Sequence, residues 1–170
     1  MTLAQLNAAP PATAAGALER CCGTRAWVEG MLAARPFADY ETLHETARRL
    51  WRSLPPEGWR EAFTHHPRIG DVAALRERFA ETAAWAGREQ SGAVGADEHT
   101  LEALAAGNRA YEARFGHIFI VRATGRTAAE MLELLRGRLD NAPEHELRVA
   151  AGEQERITAI RLDKLLEETP

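Results

Sequence analysis

Apolar residues recur at helical spacing along most of this chain, and the strict alternation typical of half-buried strands is nearly absent. The spacing is clearest after Asp39, where Leu43, Ala47, Leu50 and Leu54 fall on one face of a helix. A helix that is apolar on one face must bury that face against another element, and here the other elements are also helices. The sequence therefore predicts an all-α fold.

Local start and stop signals divide the chain into about eight helices. Residues 117–121 are strand-like but too short and isolated to form a sheet, so we predict one extended segment with an unpaired backbone. At 170 residues and 45% apolar content, the chain suits a single-domain helical bundle over residues 1–170. Residues 91–95 are a predicted loop. The signals that start or stop the predicted helices are Asp39, Pro55-Pro56, Asp71, Asp97, Gly116, the Thr127-x-x-Glu130 capping box, and Asn141 with Pro143.

Charge and cysteine content exclude several classes of protein. Lys and Arg number 21 against 25 Asp and Glu, a net charge of −4, so nucleic acid is not a predicted partner. No apolar run reaches the length of a membrane span, and the residues before Glu19 lack the basic and apolar regions of a signal peptide. Cys21 and Cys22 are adjacent and do not easily pair with each other. We expect a cytoplasmic protein with two reduced thiols, without membrane attachment.

Sequence motifs for common cofactors are also missing. The chain has no phosphate-binding or dinucleotide glycine motif, no His-Glu-x-x-His, no cysteine pairs at zinc spacing, and no Gly-x-Ser-x-Gly. The sequence therefore shows no motif for a recognisable prosthetic group. An enzyme built on this chain would use histidine, carboxylate, amide and arginine side chains.

Two places along the chain carry candidate acid or base groups. His66 precedes Pro67, which excludes it from helical geometry and places it in a turn between helices, a suitable mount for an acid–base imidazole. Glu89 and Gln90 flank the apolar face of the helix predicted from Asp71. A surface-loop histidine, or less readily a metal site with His65, remains an alternative at the first place. A solvated helix-end glutamate is the alternative at the second.

A third candidate is Arg161, which falls close to the middle of the apolar stripe of the last helix. The other members of this stripe are Leu147, Ala150, Gln154, Ile157 and Leu165. Because the guanidinium of Arg161 stays charged, it requires an anion, either an internal glutamate or a ligand carboxylate. Asn108 is similarly central on its own stripe and fits a core amide better than a ligand group. The histidine, the carboxylate with its amide, and the arginine together suggest a cofactor-free acid–base site for a small anion.

At these residues the sequence resembles the 2-oxo-4-hydroxy-4-carboxy-5-ureidoimidazoline (OHCU) decarboxylase family of the urate-to-allantoin pathway. The resemblance covers nearly the whole chain, and the order and spacing of its short motifs are more specific than any one of them. The motifs are Leu6-Asn7, Cys22-Gly23-x-x-x-Trp27, Ala34-Arg35-Pro36-Phe37, His66-Pro67-x-Ile69-Gly70, Glu89-Gln90, Asn108-x-x-Tyr111-x-x-x-Phe115-Gly116-x-x-Phe119-Ile120, Arg138-Leu139-x-Asn141 and Arg161-Leu162.

The resemblance implies a carbon–carbon lyase of purine metabolism, usually a homodimer, with no metal and no organic cofactor. The reaction it implies is the conversion of OHCU to (S)-allantoin and carbon dioxide. The resemblance further implies that His66 shuttles a proton and that Glu89 orients the imidazole or the substrate, or acts as an acid–base group. Substrate-binding positions implied by the resemblance are Pro67, Ala86, Gln90, Phe119, Ile120, Val121 and Arg161.

Two positions depart from the family pattern. Many members have Asp where this chain has Arg68, and many have Ser where it has Ala86, three residues before the glutamate. The second change removes a hydroxyl from the expected pocket wall. Two alternative functions therefore stay open: a decarboxylase of a related ureido or imidazoline carboxylate, and a non-catalytic helical binding module on the same scaffold.

Overall fold

The fold of the described residues is all-helical, as predicted. The computed structural model describes residues 1–66, 72, 73, 75, 77 and 98–167, and no strand occurs among them. Eight helices have both ends within these residues, and Val72, Ala73, Leu75 and Glu77 are also helical. The eight are α1 (Leu3–Ala8), α2 (Pro11–Cys21), α3 (Arg25–Ala33), α4 (Tyr40–Ser53), α5 (Pro56–Thr64), α6 (Glu98–Phe115), α7 (Ala128–Leu139) and α8 (Pro143–Glu167).

The chain divides into two compact units. The first contains residues 1–66 and 151–170, and the second contains residues 67–150. Helix α8 contributes residues 143–150 to the second unit and its remaining residues to the first. No helix in the described part of the chain is long and apolar enough to cross a membrane.

Most predicted helix ends within the described residues are confirmed. Asp39 caps α4 by accepting a hydrogen bond from the Thr42 amide at 2.7 Å, and Pro56 is in the first turn of α5. Thr127 forms the predicted capping box at the start of α7, and Gly116 ends α6 with a φ of 72°, which favours glycine. The predicted signals at Asp71 and Asp97 and the loop 91–95 lie outside the described residues.

Helices α1, α2 and α3 were not assigned boundaries from the sequence. Yet Thr2 and Gln5 form a capping box at the start of α1, and Pro11 occupies the first turn of α2. These are local signals of the same kind as those at Thr127 and Pro56. In this Ala-rich stretch the apolar pattern did not identify α1 and α2, which bury Leu6 and Leu18 respectively.

The core of the first unit is built around buried tryptophans. Helix α3 packs against both α2 and α4, and Trp27, Trp51 and Phe63 are almost completely buried. Each buried indole N–H has an acceptor: Trp27 donates to the Ala47 carbonyl and Trp51 to the Ala151 carbonyl, both at 3.0 Å. The second bond fixes α4 to the part of α8 that lies in the first unit.

The core of the second unit lies between α6 and α7, which pack closely against each other. It also includes Leu75 from the helical residues before the undescribed stretch. The buried residues of this core are Leu75, Leu101, Leu104, Ala105, Ala128, Met131, Leu132 and Leu135.

Candidate functional site

His66 lies in the turn that ends α5, as predicted from the proline that follows it. The helix closes with a hydrogen bond from the His65 amide to the Ala62 carbonyl, and the His66 amide donates to the Phe63 carbonyl, both at 3.2 Å. His66 is half-buried, so a substrate could reach its ring while the backbone is held by the helix end.

Gly23, in the connection between α2 and α3, packs against this turn. A Cβ atom at Gly23 would lie 2.2 Å from Cγ of His65, closer than any non-bonded contact allows. Glycine is therefore required there because the backbone and the imidazole of His65 are in direct contact. The contact positions the turn that carries His66.

Two buried side chains of α8 extend the polar environment of His66. Nε2 of His66 lies 2.5 Å from Oε1 of Gln154, whose exposed fraction is 1%. The amide nitrogen of Gln154 donates in turn to Oγ1 of Thr158 at 3.2 Å, one helical turn further along α8. Gln154 was placed in the apolar stripe from the sequence but given no role.

The polar contacts continue to Cys22 at the end of α2. Its Sγ lies 4.0 Å from Oγ1 of Thr24, and Thr24 donates to the Gly58 carbonyl at 2.9 Å. Burial raises the pKa of the Cys22 thiol, although Thr24 and Thr158 both act to lower it, and burial raises the pKa of Cys21 to about 12. Both cysteines are free and stay protonated near neutral pH, which makes them poor nucleophiles.

Arg161 lies on the same face of α8, seven residues after Gln154. It is half-buried, and its Nη1 donates to the Cys21 carbonyl at 3.4 Å. That carbonyl is at the C-terminal end of α2, where the helix dipole favours a cation. Within the described residues, no carboxylate forms an ion pair with Arg161. Of the two anions predicted for it, an internal glutamate is therefore not found in that part of the chain, and a ligand carboxylate stays a prediction.

The extended segment in the second unit is held by one arginine. Residues 117–121 are neither helix nor strand, as predicted. Nη1 of Arg138 donates to the Ile120 carbonyl at 2.8 Å, and its guanidinium carbon lies 4.7 Å from the centre of the Phe119 ring. The expectation of an unpaired backbone is therefore wrong at the Ile120 carbonyl. The amides of Phe119, Ile120 and Val121 make no hydrogen bond to any other described residue.

Arg138 is itself fixed by a buried carboxylate. Oε1 of Glu146 accepts from Nε of Arg138 at 2.7 Å and from Nη2 at 2.5 Å, and it also accepts from the Tyr111 hydroxyl. Its other oxygen accepts from Asn141 at 2.7 Å. Burial acts to raise the pKa of Glu146, but these hydrogen bonds outweigh it, and the pKa is lowered. The same burial raises the pKa of Tyr111.

The buried network of Tyr111, Arg138, Asn141 and Glu146 was not predicted. Three of its members belong to motifs quoted for the resemblance, without a role. The signal available in the sequence was an Arg and a Glu eight residues apart across the Asn141-Ala142-Pro143 helix break, which brings the two helix ends together. That signal does not reveal the fourth partner, Tyr111, 35 residues before the glutamate.

The predicted site residues divide between the two units and the undescribed stretch. His66 and Arg161 belong to the first unit, and Phe119, Ile120 and Val121 belong to the second. Asn108 is half-buried in α6. Among the described residues, no three His, Cys, Asp or Glu side chains are grouped so as to hold a metal ion. Pro67, Ala86, Glu89 and Gln90 lie outside the described residues.

Comparison with known sequences defines the class of protein to which these features belong. The sequence model of the OHCU decarboxylase family matches residues 7–163, nearly the full chain. The chain belongs to the OHCU decarboxylase family, which acts in urate degradation.

Individual relatives agree with this assignment. The uric acid degradation bifunctional protein TTL of Arabidopsis thaliana is 38% identical over 152 residues, which are 87% of this chain and 46% of that protein. The chain thus spans about half the length of this relative. The 2-oxo-4-hydroxy-4-carboxy-5-ureidoimidazoline decarboxylase of Mus musculus is 33% identical over 78% of this chain and 74% of its own. This chain is also similar to a crystal structure of OHCU decarboxylase in the presence of (S)-allantoin, with a TM-score of 0.70 and 34% sequence identity. The match covers 88% of this chain and 96% of the chain in that structure.

Proposed function

We propose that this protein decarboxylates OHCU and releases (S)-allantoin and carbon dioxide. The observation that carries the proposal is the polar face of α8 in the first unit. There Gln154 contacts the ring of His66, and Arg161 follows Gln154 on the same helix face seven residues later, in a chain of this family. Within the described residues Arg161 has no carboxylate partner, and an acid–base imidazole together with such a cation suits a small anionic substrate.

The chemistry of the substrate explains why these groups suffice. In OHCU a ring C=N bond lies next to the carbon that carries the carboxylate. When the carbon–carboxylate bond breaks, its electron pair can move toward that C=N bond, so no external electron sink is required. The protein must hold the anion, stabilise the developing enediol-like charge, and deliver a proton to one face of the ureido-bearing carbon.

Each predicted residue has a role in this scheme. His66 contacts the substrate hydroxyl and transfers the proton, while Arg161 neutralises the substrate carboxylate or binds the ureido carbonyl. Glu89 orients the imidazole or the ureido group, and Gln90 binds the ring. The amides of residues 119–121 are donors to the ring, and Pro67 and Ala86 belong to the wall of the pocket. These roles, like those of Glu89 and Gln90, rest on the family resemblance. A cytoplasmic homodimer is part of the same proposal.

The test is a circular dichroism assay on OHCU made in the cuvette from urate by a urate oxidase and a hydroxyisourate hydrolase. Spontaneous decay of OHCU gives racemic allantoin, which has no lasting signal. Addition of the protein should accelerate the decay and leave a persistent signal of (S)-allantoin. This result would establish both the reaction and its stereochemistry.

A pair of histidine variants connects the activity to the site. His66→Asn should lower kcat by about 10²–10⁴-fold, the usual contribution of a general acid–base group. His145→Asn is the matched control because His145 is exposed near the start of α8, and it should keep full activity. Unchanged turnover in His66→Asn would refute the proposed mechanism but not the family assignment.

The same assay separates the two alternative functions. A protein that leaves OHCU decay unchanged but turns over another ureido or imidazoline carboxylate would be a decarboxylase of changed specificity. Restoring the hydroxyl with Ala86→Ser should then improve OHCU turnover. A protein that turns over neither but binds allantoin or a related anion would be a non-catalytic binding module.

A further inference from the structure

We propose that Arg138 is a positioning residue that orients the backbone amide of Val121 toward the substrate. The inference rests on the proposed function, in which the amides of residues 119–121 bind the substrate ring. Its structural part depends only on contacts within the second unit. Arg138 touches no substrate atom in this scheme and acts through the peptide group that joins Ile120 to Val121.

The guanidinium of Arg138 donates to two different partners from two sides. On one side, Nε and Nη2 donate to Oε1 of Glu146 at 2.7 and 2.5 Å. On the other side, Nη1 donates to the Ile120 carbonyl at 2.8 Å. Because the guanidinium is planar and rigid, the position of the first side fixes the position of the other. A carboxylate of α8 therefore determines, through an arginine of α7, where the Ile120 carbonyl is held.

Glu146 is itself held in place by further hydrogen bonds. It has no exposed surface, and it also accepts from the Tyr111 hydroxyl and, at 2.7 Å, from Nδ2 of Asn141. The Tyr111 hydroxyl in turn accepts from Nη2 of Arg138 at 3.2 Å. A buried network in which each group has several partners makes those groups rigid. The Nη1 donor of Arg138 is therefore fixed before any substrate binds.

The two residues before Val121 are held by their side chains as well. The centre of the Phe119 ring lies 4.7 Å from the guanidinium carbon of Arg138, a cation–π contact. The same ring meets the Tyr111 ring edge-on, with 5.1 Å between the ring centres. The side chain of Ile120 is almost completely buried. The chain therefore reaches Val121 with both backbone and side chains fixed.

The peptide group transmits this position to the Val121 amide. The Ile120 carbonyl and the Val121 N–H belong to one planar group, and the peptide bond between them is trans. In a trans peptide the C=O and N–H bonds point in opposite directions. Because the carbonyl is directed at Arg138, the Val121 N–H is directed away from it. Val121 is half-buried, and its N–H has no acceptor within the described residues, so we assign this donor to the substrate.

The kinetic test compares Arg138→Lys with Arg136→Lys, its matched control. Lysine keeps the counter-charge of Glu146, but a single ammonium group does not reproduce the fixed sides of a guanidinium. Arg136 is exposed on the same helix, so its variant should behave as the wild type does. In the OHCU assay, Arg138→Lys should raise KM by about 2–10-fold, the usual worth of one neutral hydrogen bond, with kcat little changed.

A purely structural role for Arg138 would give a different kinetic result. Loss of folded protein in Arg138→Lys would lower kcat and leave KM unchanged, and that outcome would overturn the proposal. An Arg138→Lys enzyme with the KM and kcat of Arg136→Lys would also overturn it. Only an increase in KM that is confined to Arg138→Lys supports the orientation of a substrate-binding group by this arginine.

Amide NMR with (S)-allantoin as the probe tests the assignment without turnover. Ile-Val occurs only once in the sequence, at 120–121, so carbon-13 at the isoleucine carbonyl and nitrogen-15 in valine together select the Val121 amide. Addition of (S)-allantoin should shift this resonance in the wild type and in Arg136→Lys, and shift it less in Arg138→Lys at the same concentration. Equal shifts in the two variants would overturn the dependence on Arg138.

The two measurements separate this inference from the proposed function. A wild type whose Val121 amide responds to (S)-allantoin but that does not turn over OHCU would overturn the proposed function while supporting the orientation of the amide. A wild type whose Val121 amide does not respond would overturn the inference, whether or not OHCU is turned over. This last measurement uses the wild type alone, so the proposal stays falsifiable even where Arg138→Lys folds poorly.

Discussion

Removal of the charge on Glu146 should destabilise the second unit strongly, because this carboxylate is the centre of its buried polar network. Glu146 has no exposed surface, and its two oxygens accept from Arg138, Tyr111 and Asn141. Glu146→Gln keeps the size of the side chain and one carbonyl oxygen. It leaves the guanidinium of Arg138, a residue that is only 9% exposed, without its counter-charge.

The expected magnitude follows from breaking a buried ion pair at one partner. Such a change costs about 3–5 kcal/mol, because the remaining charge stays desolvated. Against a total free energy of unfolding of about 5–15 kcal/mol for a native protein, this is a large fraction. At about 2–4 °C per kcal/mol for a chain of this length, Tm should fall by roughly 6–20 °C.

Urea denaturation followed by far-ultraviolet circular dichroism measures the loss, and Glu144→Gln is the matched control. Glu144 lies in the first turn of the same helix but is exposed, so its variant should stay within about 0.5 kcal/mol of the wild type. A Glu146→Gln variant as stable as Glu144→Gln would refute the reasoning. Arg138→Met combined with Glu146→Gln should lose less than the sum of the single changes, since the two groups interact directly.

The same carboxylate gives the pH dependence of stability a definite sign. Because the folded-state pKa of Glu146 lies below its ordinary value of 4.5, the unfolded chain binds the proton more readily. Its contribution is present above pH 4.5 and is lost as the pH falls through the folded-state pKa. Glu146→Gln should therefore flatten the acid side of the wild-type stability profile. If the variant lost stability at low pH as steeply as the wild type does, this pH dependence would have to come from other carboxylates.

Substitutions at two further positions test places where the local backbone geometry is demanding. Gly23→Ala should displace the His65 ring, because the added methyl overlaps the imidazole. It should lower the free energy of unfolding by about 1–3 kcal/mol and reduce turnover. A variant with wild-type stability and turnover would show that the turn can move to accept the methyl group without cost. Thr127→Ala removes the side-chain cap of α7 and should cost about 1 kcal/mol in urea denaturation without affecting turnover, whereas Thr127→Ser should retain the cap. Equal stability of the alanine and serine variants would contradict the capping argument.

The helix ends that the sequence predicted well are those determined by neighbouring residues. Thr127 and Glu130 cap each other within one turn, and Gly116 adopts a backbone conformation that other residues avoid. The proline before α5 acts in the same local way. Such signals act across three or four residues, so a single sequence contains all the information they need.

The parts of the site that the sequence did not predict depend on partners far apart in the chain. The Ile120 carbonyl was expected to be unpaired, but Arg138, 18 residues later, donates to it. Nothing in the spacing of the two positions indicates this contact, because it requires the extended segment to run alongside α7. An arginine with a buried side chain needs several acceptors, and a backbone carbonyl in an irregular segment is a suitable one.

The contact between Gln154 and His66 could not be predicted for the same reason, because the two residues are far apart in the chain. In the sequence Gln154 is one polar position in an apolar helical stripe, and that pattern predicts burial together with some hydrogen-bond partner. It does not predict which partner, and the two residues are separated by 88 positions. A buried amide must satisfy donor and acceptor at once, so it is directional in a way that a buried methyl group is not. An amide within an apolar stripe, like Arg161 in the same stripe, requires a polar partner. For Gln154 that partner is the imidazole of His66, the residue proposed to transfer the proton.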